Sequence, residues 1–424
     1  MVAWLRGAIP SFRRAGTRAG RITVARPPPA FCTNRHRRGR PPTTRGYRRP
    51  VFRRILLLAG VAALAVAVVA APGAARAAAS RTWPPFVLVA GLLLIGWVAN
   101  EEGAFDRAAG AAARVRGGPA VLLVVLLALT AVVTAVLNLD TSVAFLTPVL
   151  VLAARRRGVA EEPFLLGSLL MANAASLLLP GSNLTNLLVL GQEHISGAAF
   201  AGRMLPAWVA AVVVTAVAVL IRSRMTTAPP KPPDTARPVA GGWLGTAAAA
   251  VAAVAMIALP SAALPVLAVG LAAVAVRILQ RRLPLSDLGA TVDAAALIGL
   301  FGLAAALGTL AGTWSGPARL MSHASAWESA VIGALGAVAL NNLPAAALFS
   351  AHGATHPRAL LIGLDLGPNL AVTGSLSALL WFRAARSVGA RPSVMAVTKI
   401  GVFLVPISIT AALLALRLFA PSHV

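Results

Sequence analysis

A helix needs about 20 consecutive apolar residues to cross the hydrocarbon core of a bilayer, and this chain supplies such runs repeatedly from Ile55 onward. Of its 424 residues, 58% are hydrophobic and only 12% charged. A soluble domain carries roughly twice that share of charge. A soluble enzyme and a disordered chain are excluded. An outer-membrane barrel is excluded too, because its short strands of alternating hydropathy are missing. The fold class is an all-α polytopic membrane protein.

The charge is unevenly distributed. The chain is net +26, and fifteen arginines lie before Ile55, whereas no acidic residue precedes Glu101. Residues 1–54 are rich in Arg, Pro and Thr and lack apolar periodicity, so they read as a disordered cytoplasmic tail. Three uses compete for it: an anchor on anionic lipid, a transit peptide, or a dispensable extension. By the positive-inside rule it holds the N-terminus in the cytoplasm. No nucleic-acid-binding fold surrounds these arginines, so nucleic acid is not an expected partner. Cys32 is the only cysteine, which excludes disulfides and thiolate metal sites from the membrane region. No P-loop and no HExxH motif occurs. The chain is read as a non-enzyme with no cofactor and no metal.

Along the chain, Ile55–Ala71 goes outward and Phe86–Val98 returns, with Arg76 and Arg81 between them. The acidic and basic residues Glu101, Glu102 and Asp106 to Arg116 read as a solvated loop. The stretch Ala120–Ala154 is interrupted at NLDTS (Asn138–Ser142) and is flanked by basic residues at both ends. It reads as a re-entrant hairpin. Phe164–Leu179 breaks at PGSNLTN (Pro180–Asn186), and Leu205–Ile221 returns to Arg222 and Arg224. A Pro-rich segment, Ala228–Pro238, then divides the chain. Trp243–Leu259 is an extra span, after which the plan repeats in the opposite orientation. Ala262–Leu279 and Ala294–Thr313 are spans, and Trp327–Ser350 is a hairpin broken at NNLP (Asn341–Pro344). The segment from Ala359 breaks at GPNLAVTGS (Gly367–Ser375), and Val394–Leu416 leaves the C-terminus outside. The expected divisions are a tail, 1–54, a first repeat, 55–222, a linker, 223–242, and an inverted second repeat, 243–424. Paired broken segments in two halves point to an inverted-repeat secondary transporter with two re-entrant hairpins and two broken helices. Its cargo binds between the breaks near the midplane.

Four polar clusters fall at that depth. The candidate cargo ligands are Asn138, Thr141 and Ser142; Ser182, Asn183, Thr185 and Asn186; Asn341 and Asn342; and Asn369, Thr373 and Ser375. Amides and hydroxyls both donate and accept hydrogen bonds, and the helix ends add oriented dipoles. Such a set suits a small hydroxylated or oxyanionic solute, or a cation held by carbonyl oxygens. The competing reading is that these side chains only cap broken helices. Asp140 and Asp365 stand in otherwise apolar surroundings. An ionised carboxylate in lipid costs about 2.5–3.5 kcal/mol on insertion scales, so proton exchange is the functional reading of both. Capping a helix or pairing with an arginine is the structural one.

These motifs resemble those of the arsenite efflux permeases, a family within the ion transporter superfamily. The stretch DLGPNLAVTGSLSALLW (Asp365–Trp381) is similar to that family's most specific signature. NLDTSVAFLTPV (Asn138–Val149), LPGSNLTN (Leu179–Asn186) and NNLP are similar to its others. The resemblance implies export of arsenite and antimonite across the plasma membrane in exchange for protons, in some members with a separate soluble ATPase subunit. A homodimer is an allowed assembly. One departure stands at Asn369, where the family often has a basic residue. Sodium/proton exchange and organic-anion transport are the alternatives within the same superfamily.

Overall fold

The computed structural model describes residues 49–114, 116–191, 195–226, 241–259, 261–280 and 294–419. The tail through Arg48, most of the Pro-rich linker, Glu193 and His194 lie outside them. Among the described residues there are seventeen α-helices and no strand. The first eight are α1 (Arg49–Ala70), α2 (Pro72–Glu101), α3 (Ala104–Ala113), α4 (Pro119–Val136), α5 (Leu139–Arg156), α6 (Glu162–Ala175), α7 (Leu184–Leu190) and α8 (Gly197–Met225). After α9 (Leu244–Ala258), eight more follow in a matching order. They are α10 (Ala263–Leu279), α11 (Ala294–Thr313), α12 (Gly316–His323), α13 (Ala326–Leu340), α14 (Asn342–Phe349), α15 (Pro357–Leu366), α16 (Ser377–Ser387) and α17 (Val394–Phe419). Five of these, α2, α4, α8, α11 and α17, are long and apolar enough to span a membrane.

The packing exchanges the two sets of eight. α1 packs on α11 as α10 packs on α2; α5 packs on α16 as α14 packs on α7; α4 packs on α6 as α13 packs on α15. α8 and α17 pack on each other. This reciprocal pairing is what an inverted repeat requires, and α9 is the helix without a counterpart. The first two exchanged pairs are also built alike chemically. A Cβ on Gly270 of α10 would come 2.7 Å from the Gly91 carbonyl oxygen of α2. One on Gly299 of α11 would come 2.6 Å from the Leu56 carbonyl oxygen of α1. Small residues let these backbones touch where lipid offers no hydrophobic drive for association.

α2 starts at Pro72, so Arg76, Arg81, Pro84 and Pro85 lie in the same helix as the apolar run Phe86–Val98. Pro72 costs nothing in a first turn, where its missing N–H would have no partner, and the alanine-rich run after it favours helix. Arg81 donates from Nη1 to the Ala351 carbonyl, 2.9 Å away. One expectation needs correction: the charged stretch after Val98 is not a solvated loop, since Asp106 lies in α3 and Glu102 is buried. Glu102 is 1% exposed, accepts a 2.8 Å bond from the Gly245 backbone N–H, and stands 3.5 Å from Arg277. It therefore caps the first turn of α9 and neutralises a buried arginine from α10. Arg107 closes the same corner on the carbonyls of Glu102 and Gly242. Removing one member of a buried ion pair leaves the other charge uncompensated. Glu102→Ala is therefore expected to cost about 3 kcal/mol. The loss is measurable as a lower melting temperature of the detergent-purified protein, whereas Glu101→Ala leaves that temperature unchanged.

Candidate functional site

Each hairpin turns on an asparagine. Asn138 caps α5, its Oδ1 accepting a 2.6 Å bond from the Thr141 N–H. Asn341 caps α14 in the same way, accepting from Leu343 N–H at 3.4 Å. Asn341 has φ 78° and ψ 146°, a region nearly reserved for glycine. Among the described residues it is the only non-glycine with positive φ. Its strain is offset by bonds to the second break. Asn341 Nδ2 donates to the Thr373 carbonyl at 3.3 Å, and the Asn342 N–H donates to the Gly374 carbonyl at 2.9 Å.

The first break, between α6 and α7, closes on itself. The Ser182 hydroxyl reaches the carbonyls of Ser176 and Leu179. Asn186 Nδ2 donates to the same two carbonyls at 2.7 and 3.1 Å. Asn183 caps α7 by accepting from the Thr185 N–H at 3.2 Å, and Thr185 Oγ1 donates to the same oxygen. Carbonyls freed by Pro180 and Gly181 are thus satisfied without water, as lipid-embedded backbone requires.

The two breaks are cross-linked by side chains. Asn183 Nδ2 donates to Asp365 Oδ1 at 2.8 Å, and the Ser176 hydroxyl donates to Oδ2 at 3.2 Å. Asn173 Nδ2 donates to Asn369 Oδ1 at 2.8 Å. Asn369 Nδ2 in turn donates to the Leu170 carbonyl at 3.1 Å. At the first hairpin tip, the Ser377 hydroxyl donates to Asp140 Oδ1 at 2.5 Å.

Both tips and both breaks meet at one small recess. It is lined by Asp140 and Leu139 from the first tip, Asn341 and Asn342 from the second, Asn183 from the first break, and Ser375 and Ser377 from the second. Leucines, among them Leu300 of α11, complete it. Asn138, Thr141 and Ser142 sit buried at the first tip; Asn138 Nδ2, Thr141 Oγ1, Ser142 Oγ and Ser375 Oγ have no hydrogen-bond partner. Among the lining residues there is no Lys, Arg or His.

The candidate residues thus separate by position. Asp140, Asn183, Asn341, Asn342 and Ser375 line the recess. Ser182, Thr185 and Asn186 bond within the first break, and Asp365 and Asn369 lie behind it in the bonds that join the breaks. Thr373 is exposed and donates to the Val338 carbonyl at 3.3 Å. Three participants escaped the sequence reading: Ser377, Asn173 and Ser176. Ser377 stands inside the quoted signature, two residues beyond Ser375, and that proximity was the available signal. A mutational contrast follows from this division. Asn186→Leu leaves two buried carbonyls to share the single proton of the Ser182 hydroxyl and is expected to cost about 2 kcal/mol. Asn342→Ala removes a side chain without such a role and leaves stability within about 0.5 kcal/mol. Thermal unfolding of the two variants in detergent measures the difference.

A family model described as CitMHS, citrate transporter, matches residues 51–372. A search of curated proteins gives no match. Among solved structures, the YdaH transporter of Alcanivorax borkumensis, reported to have an unusual topology, superposes with a TM-score of 0.53 at 12% identity. The match covers 87% of this chain and 98% of the other. At that identity the likeness concerns the fold alone. The family model spans about three quarters of the chain, including the first two apolar runs, both hairpins and the first break. The protein belongs to the CitMHS transporter family and is a membrane-embedded secondary transporter.

Proposed function

We propose that the protein exports arsenite or antimonite in exchange for protons. The observation that carries this reading is the lining of the recess: one carboxylate, amides and hydroxyls, and no cationic side chain. A multiply charged carboxylate entering such a site would lose its hydration without gaining an Arg or Lys partner. Arsenite near neutral pH is chiefly a neutral molecule bearing three hydroxyls, and it can donate to Asp140 and to the amide oxygens while accepting from Asn and Ser. No thiolate is needed to hold it. Asn183, Asn341, Asn342 and Ser375 would surround the solute, and Asp140 would carry the proton. Asp365, one hydrogen bond behind the recess through Asn183, would sense the first break. The protein would act in the plasma membrane with its N-terminus cytoplasmic and its C-terminus outside. A soluble ATPase subunit is an additional partner that the motif resemblance brings.

A second reading follows the family's description, with an organic anion such as citrate as cargo. The N-termini of α5 and α14 at the two tips favour it, because helix dipoles can stand in for cations around an anionic group.

One experiment separates the two. In vesicles holding the purified protein, an imposed pH gradient is expected to drive uphill arsenite movement with sodium absent. Asp140→Asn is expected to abolish accumulation while retaining downhill arsenite counterflow within a few-fold. Gradient-driven citrate movement without arsenite movement would establish the second reading. Sodium-dependent collapse of the gradient, indifferent to both solutes, would overturn both. Full accumulation by Asp140→Asn would remove Asp140 from the coupling.

A further inference from the structure

The bond between Ser377 and Asp140 joins two elements that come from opposite repeats. α5 and α16 lie side by side and run parallel. Ser377 meets Asp140 at their starts, and at their ends Arg155 Nη1 donates to the Val388 carbonyl at 2.7 Å. Arg155 also pairs with Glu161 at 2.5 Å, which anchors that far end. The near end is tied to α16 by a single side-chain bond, on a carboxylate whose other oxygen, Oδ2, has no partner. Ser377 itself is 1% exposed, while Asp140 is only partly buried and lines the recess.

A carboxylate without a fixed partner turns about its Cβ–Cγ bond and presents either oxygen. One held at Oδ1 presents Oδ2. A hydroxyl suits this role in both protonation states, because Oδ1 accepts its proton as a carboxylate oxygen and still accepts it as the carbonyl oxygen of the acid protonated at Oδ2. We infer that Ser377 is a positioning residue for exchange. By holding Oδ1 it keeps Oδ2 at the recess as the acceptor for which a proton and a hydroxyl of the cargo compete. The inference rests on the proton-exchange reading above and names the geometry that would produce it.

The exchange balances without covalent chemistry on the solute. With Asp140 ionised, Oδ2 accepts a hydrogen bond from a cargo O–H. A proton from the opposite aqueous phase adds to Oδ2 and forms an O–H bond, and the cargo's hydrogen bond is lost in the same event. The proton later returns to water on the first side, regenerating the acceptor. Competition at one oxygen makes the two ligands mutually exclusive, which is the condition for exchange rather than co-transport.

Among the described residues, Asp140 is the only ionisable group lining the recess. Asp365, on α15, lies behind Asn183. On α16, Arg383 is six residues beyond Ser377, about 9 Å along that helix, and Arg386 lies further on. Glu162 of α6 is paired with Arg222 at 2.6 Å. Asp106 and Arg107 belong to α3, and Glu101 and Glu102 close α2, five and six residues beyond Gly96, which packs against Thr141.

Two variants of the full-length protein, Ser377→Ala and Ser377→Thr, test the inference. The first readout requires no cargo. In infrared difference spectra taken on acidification, the carboxyl band that disappears in Asp140→Asn is expected to shift in Ser377→Ala and to return in Ser377→Thr. The second is transport: Ser377→Ala is expected to raise the KM for arsenite roughly tenfold with kcat nearly unchanged, and Ser377→Thr to restore it. A band unaltered in Ser377→Ala, or equal impairment of both variants, would overturn the inference. Wild-type protein that moves no arsenite would count against the arsenite reading alone, since the infrared comparison still decides the role of Ser377.

Discussion

A helix in lipid can be interrupted only where every freed N–H and C=O finds a partner inside the protein. This chain makes four such interruptions, and the rest of the site follows from how each is satisfied. Ser182 and Asn186 absorb the carbonyls of the first break. The second break leans on the hairpin tip through Asn341 and Asn342. The tips themselves are closed by Asn138 and Asn341. Once those obligations are met, a limited set of polar groups is left over at one place. That remainder, centred on Asp140, is what a solute can use.

The two half-sites are not chemically equal, although the repeats that make them are. The first tip brings a carboxylate and unpartnered groups on Asn138, Thr141 and Ser142. The second brings two amides and a strained backbone. Asp365 has no place at the recess because Asn183 stands between them and consumes one of its oxygens. The asymmetry places titratable chemistry beside one tip and neutral hydrogen bonding beside the other. On the arsenite reading proposed above, a neutral, hydroxyl-bearing cargo would meet a carboxylate at one tip and amides at the other.

The fold class was legible because lipid imposes its rule on composition: apolar runs of the right length, broken by proline, glycine and small polar residues, recur in the same order in two halves. The motifs at the breaks were legible for the same reason. What was not legible are contacts made by residues of ordinary type at great sequence distance. Asn173 sits on an apolar helix and looks like any helix-bonding amide until folding brings it to Asn369, 196 positions away. Ser377 is a first-turn serine until α5 packs beside α16. Glu102 stands next to another glutamate in a charged stretch, and only Arg277 and the start of α9 single it out. Arg76 and Arg81 separate the first two apolar runs in the sequence, because charge near an apolar run normally marks its end. In α2 the helix simply continues, and Arg81 reaches a carbonyl at the base of the second hairpin.

We propose that the recess shared by both tips and both breaks receives the cargo. Crystals of the protein soaked with arsenite, with anomalous diffraction measured at the arsenic absorption edge, test it most directly. A single peak is expected within hydrogen-bonding reach of Asp140, Asn183, Asn342 and Ser375, at the same place but with lower occupancy in Asp140→Asn crystals soaked in the same way. A peak elsewhere in the fold, unaffected by that substitution, would contradict it.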